Sequence, residues 1–71
     1  MASPSALERV RRELFNAGST GITARRCADI LGISEGTARV HLNTLRLQGV
    51  ARAQKFVRAN GREATLFSPM R

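Results

Sequence analysis

Residues 23–50, TARRCADILGISEGTARVHLNTLRLQGV, constrain this chain more than any other stretch. Their caps and apolar spacings predict two helices joined by a tight turn. Thr23 is a candidate N-cap, and Ala24, Cys27, Ala28 and Leu31 follow at spacings of three and four, so they share one helical face. Gly32 stops that helix, because glycine accepts the left-handed conformation beyond a helix end. Ile33 anchors the turn, and Ser34 caps a second helix. There Ala38, Leu42 and Leu45 again recur at four and three, and Gly49 closes the element. The opposite face carries Gly36, Val40 and Asn43, flanked by Thr37, Arg39 and Arg46.

The flanks complete the pattern. Ser5 and Glu8 match a capping box, in which a serine side chain and a glutamate three residues on satisfy the first free N–H groups. A helix is expected from there to about Asn16, with Leu7, Val10 and Leu14 as its inner stripe and Phe15 beside it. Ala17-Gly18 ends it, and residues 19–21 read as a loop. After the second 23–50 helix, VARAQKFVR (50–58) alternates, Asn60-Gly61 signals a turn, and EATLFSP follows, which predicts a β-hairpin. Helices are expected over about 24–31 and 35–48, and strands over about 50–57 and 63–67. Pro69 should end the sheet, since it cannot donate a ladder hydrogen bond. Phe56 and Phe67, on opposite strands, are expected to face the helices.

The core LGIS-x-x-T-A-x-x-H-L, residues 31–42, resembles the prokaryotic helix-turn-helix. With a basic hairpin after it, the chain looks like winged-helix regulators of the MarR, ArsR and DeoR type, and is closest in size to fimbrial-operon regulators and compact phage or plasmid repressors. The resemblance covers about residues 7–68. It implies an α+β, mainly α, winged helix-turn-helix of three helices plus a C-terminal β-hairpin wing. It further implies a very short strand at Ile22 pairing with the wing, with helix 35–48 in a DNA major groove.

Length permits one domain over residues 5–68, between a disordered tail at 1–4 and a short tail at 69–71. At 71 residues a single apolar core barely suffices. Cys27, the only cysteine, has no partner for a disulfide and fits a reducing compartment. The first residues lack the apolar run of a signal peptide, and no segment is long enough to cross a membrane. The expected location is the cytoplasm, at the bacterial nucleoid.

Charge points to a partner. The net charge is +7, of which residues 1–35 contribute +1 and residues 36–71 contribute +6. The excess therefore lies on the second helix of the pair and on the hairpin, as a polyanionic ligand would require. A solvated basic surface is the plainer alternative.

Individual residues carry paired readings. Arg39 is the leading candidate for a DNA contact, as arginine can donate twice to guanine O6 and N7; otherwise it is a solvated flank residue. Gly36 either lets the helix end approach a duplex closely or is tolerated in a first turn. Val40 either packs on a thymine methyl or is a scattered surface residue. Asn43 reads adenine, holds a phosphate or is merely solvated. Ser34 and Thr37, with nearby free N–H groups, could take a phosphate in addition to capping. Glu35 either reads a cytosine amino group or complements the helix dipole. Arg25 and Arg26 open their helix where a phosphate could lie. Lys55, Arg58, Asn60 and Arg62 mark the wing, where arginine can enter a narrow minor groove and where charge also guards a sheet edge. Arg46 completes the basic set on the second helix.

One histidine and one cysteine fall short of a zinc site. Cys27 reads as core and His41 as a flank residue that packs or caps. The acids form no pair, and no glycine-rich phosphate loop is present, so no enzyme, metal or cofactor is expected. With Phe15, Phe56 and Phe67 the only aromatics, a stacking platform for single strands is weak. Leu47 stands nearly opposite the inner face, either as a stray surface residue or as part of a dimer contact. The expected partner is double-stranded DNA, bound by a homodimer or by paired copies, with no membrane and no small-molecule effector. The rival reading is a winged-helix protein–protein adaptor to a larger DNA-bound partner.

Overall fold

The computed structural model describes residues 5–70; the tail expected at 1–4, and Arg71, lie outside them. The elements run α1 (Ala6–Ala17), a 3₁₀ turn (Gly18–Thr20), β1 (Ile22–Thr23), α2 (Ala24–Leu31), α3 (Glu35–Leu47), β2 (Ala51–Val57) and β3 (Glu63–Pro69). This is the expected architecture: three helices, a C-terminal hairpin wing and a two-residue strand at Ile22.

Each helix begins on the cap read from sequence. The Glu8 N–H donates to Ser5 Oγ at 3.2 Å, the Arg26 N–H to Thr23 Oγ1 at 3.1 Å, and the Thr37 N–H to Ser34 Oγ at 3.1 Å. Gly32 ends α2 in the left-handed region, at φ 68°. The Arg9 guanidinium donates to the Leu31 carbonyl at 3.2 Å, satisfying one of the acceptors that a helix end leaves open and joining α1 to the turn.

The sheet order is β1-β3-β2, antiparallel throughout. β3 is central, with Ile22 opposite Phe67 on one side and Ala53 opposite Phe67 on the other. The hairpin closes through a three-residue loop. The Arg58 N–H donates to the Arg62 carbonyl at 2.8 Å and the Gly61 N–H to the Arg58 carbonyl at 2.9 Å. Gly61 takes the positive φ of 80° that this turn-and-bulge connection demands.

Val10, Leu14, Ile22, Cys27, Ala38, Leu42, Leu45 and Phe67 form the core together with the small residues Ala24, Ala28 and Ala51. Among the described residues no polar side chain is buried. Desolvation of the buried Cys27 thiol, reinforced by the Glu13 carboxylate, pushes its pKa above the ordinary value.

Several details differ from expectation. Phe56 is not core. In this register it stands opposite Ala64, so it shares the outer sheet face with Arg52 and Gln54, while Phe67 shares the inner face with Ala53. Phe15 is likewise exposed, with the Arg11 guanidinium 5.4 Å from its ring centroid. The α3 helix stops one residue early, with Gln48 as its C-cap, and β2 starts at Ala51. The β3 strand continues past Phe67 to Pro69, which pairs with Ala51 and is the final strand residue. Residues 18–20 coil into a 3₁₀ turn instead of an open loop.

Candidate nucleic-acid interface

Beyond Ala51, all of β2 is exposed, so the wing extends off the helical body and the molecule measures 45 × 27 × 19 Å. The inner face of the wing and the near side of α3 form the walls of an open cleft of about 550 Å³, with the start of α2 between them. Sequence order does not suggest this meeting. Arg25 comes from the first turn of α2, Arg39 and Asn43 from α3, and Arg58, Asn60 and Arg62 from the wing loop. Five cations line the cleft, the fifth being Lys55, against two carboxylates, Glu35 and Glu63.

The α3 helix presents two working faces. Glu35, Arg39 and Asn43, spaced by four, look into the cleft. Gly36, Val40 and Leu47 lie on the side away from Ala38, Leu42 and Leu45, which are all buried; Val40 is 63% and Leu47 78% exposed. A Cβ on Gly36 would meet nothing within 4 Å, and its φ is not positive, so neither packing nor backbone geometry requires glycine there.

Hydrogen bonds fix the first turn of α3. The Ser34 hydroxyl donates to Thr37 Oγ1 at 2.7 Å and accepts from the Thr37 N–H, so Ser34 is spent on the cap while the exposed Thr37 hydroxyl keeps its own proton to donate. The Arg39 guanidinium donates to Glu35 Oε2 at 2.7 Å. In the wing loop, Asn60 Oδ1 accepts from the Arg62 N–H at 3.0 Å, which shapes the turn.

Of the fourteen residues singled out from the sequence, the cleft gathers Arg25, Glu35, Arg39, Asn43, Lys55, Arg58, Asn60 and Arg62. Ser34, Gly36, Thr37 and Val40 are exposed on α3 and its cap, outside the cleft. Arg26 is exposed on α2, and Arg46 in the last turn of α3, where it complements the helix dipole. Thr65 and Glu63 were not singled out, yet both line the cleft. Their alternation with Phe67 was the available signal, since residues two apart on a strand share a face.

No protein-family model matches the chain, and no curated protein matches it. Among solved structures, a possible transcriptional regulator from Methanosarcina mazei Go1 superposes with a TM-score of 0.85 at 12% sequence identity. The match covers 97% of this chain and 57% of that one, so the chain spans little more than half the length of its structural neighbour. Similarity this complete at so low an identity is similarity of backbone, and with the elements above it identifies the fold of this chain as a winged helix-turn-helix.

Proposed function

We propose that this chain is a sequence-specific double-stranded DNA-binding transcriptional regulator acting at the bacterial nucleoid. The α3 helix enters the major groove with Gly36, Thr37, Val40, Asn43 and Arg39 toward the bases. The wing and the start of α2 hold the flanking backbone, or the wing enters the adjacent minor groove, through Arg25, Arg58, Asn60 and Arg62. Arg26 and Arg46 contact phosphates at the edges, while Ser34 caps the helix. The observation that carries this reading is the cleft itself: five cations from three separate elements converge beside an exposed helix face. Phosphate contacts hold and orient a duplex, and base edges in the groove supply sequence information. The neighbour described as a possible transcriptional regulator supports the same direction.

The test is the salt dependence of duplex binding. If about six phosphates are neutralised, log affinity should fall against log salt with a slope of about −5. Salt-independent affinity, or no binding to any duplex at low salt, would rule the reading out. In that event the adaptor reading gains, because the exposed Val40 and Leu47 would then serve as the apolar centre of a protein contact.

A further inference from the structure

We infer that the Glu35–Arg39 ion pair is a specificity device: it withholds Arg39 from phosphates and frees it for guanine where a cytosine amino group engages Glu35. The inference rests on the duplex-binding reading above and names the base pair which that site prefers.

Three observations carry it. First, Glu35 Oε2 lies 2.7 Å from the Arg39 guanidinium, one helical turn along α3, and both groups line the cleft. Second, among the described residues this is the only ion pair. Arg25, Lys55, Arg58 and Arg62, the other cations of the cleft, have no carboxylate partner among the described residues. The cleft thus holds four uncommitted cations and one neutralised cation. Third, the side chains of the pair are 57% and 48% exposed, so water screens the bond and it opens at little cost.

The chemistry follows from what each ligand offers. A phosphate has acceptors only. To use Arg39 it must displace the Glu35 carboxylate and then sit beside that negative charge. The major-groove edge of a G·C pair offers both halves: guanine O6 and N7 accept from the guanidinium fork, and cytosine N4 donates to the carboxylate. An A·T pair also gives the carboxylate a donor, on adenine N6, but it has no edge with two adjacent acceptors for the fork. The pair therefore opens productively on G·C, and contributes little on a generic backbone.

Inosine separates this readout from groove shape, because an inosine–cytosine pair has the major-groove edge of G·C and the minor-groove edge of A·T. Fluorescence anisotropy would compare two duplexes of about 30 base pairs without thymine methyls, one inosine–cytosine and the other adenine–uracil. Wild type should prefer the inosine–cytosine duplex by about fivefold or more. Glu35→Gln should raise affinity for the adenine–uracil duplex about two- to fivefold and narrow the preference. In an Arg39→Ala background, Glu35→Gln should have a smaller effect and leave the preference unchanged. A wild type without preference overturns the inference. So does a Glu35→Gln variant that strengthens both duplexes equally, since Glu35 would then act as a lone repelling charge. Wild type binding neither duplex at low salt would instead remove the duplex-binding reading itself. Both residues are exposed on α3, and unchanged thermal melts would show that the variants fold.

Discussion

On the proposed reading, stability and binding pull in opposite directions at Gly36. A first-turn glycine with open space around it and an ordinary φ is a weak helix former that the fold does not require. Gly36→Ala should therefore raise stability, by up to about 1 kcal/mol, as read by thermal or denaturant unfolding. On the proposed reading the same variant should weaken duplex binding, because a methyl group would keep the helix end from the groove floor. Stabilisation with unchanged affinity would return Gly36 to the status of a tolerated residue. Much at this scale is legible in sequence: the three N-caps, the inward Leu42 and Leu45 and the outward Val40 all follow from local spacing. The Glu35–Arg39 pairing was legible too, as a carboxylate four residues before a guanidinium on a helix. Reading each of the two alone obscured it.

At the scale of elements, the helices and the wing differ in how their sequence encodes them. A helix is set by neighbours three and four residues away, so α2 comes out as expected and α3 within one residue. A hairpin depends on register, and register is a relation between distant residues. A slip of one residue reverses every side chain, which is how Phe56 comes to lie outside while Phe67 lies within. On the proposed reading the wing loop has the clearest electrostatic part, as Arg58 and Arg62 bracket it and line the cleft. Arg62→Ala should weaken specific and random duplexes about equally and flatten the log–log salt slope by about one. Gel shifts at several salt concentrations would check this. A loss confined to one sequence would mean that the wing reads bases.

At the scale of the whole molecule, one winged helix has a small footprint. A module of this size buries about 600–1,000 Å² on DNA, which seldom yields operator-level discrimination alone. We expect two copies on half-sites about one helical turn apart, meeting through α1 or around Leu47, because on the proposed reading α3 and the wing engage the duplex. Native mass spectrometry of the footprinted complex should give two protomers per site. One protomer on a short, unrepeated site with full affinity would overturn the expectation. The joint between β1 and α2 then bears on what the duplex must do. Thr23 belongs to both: it pairs with Leu66 in the sheet, and its hydroxyl caps the helix that carries Arg25. No residue intervenes between β1 and α2, so the base of the wing and the start of that helix are joined directly, with Ile22 opposite Phe67 at the root of the sheet. If that joint also fixes the spacing between wing and helices on DNA, the cleft would work as a caliper. On the proposed reading, sequences whose groove and backbone spacing match it would bind without strain and others would have to bend to fit, so the protein would discriminate among sites by the stiffness of base pairs that it never touches.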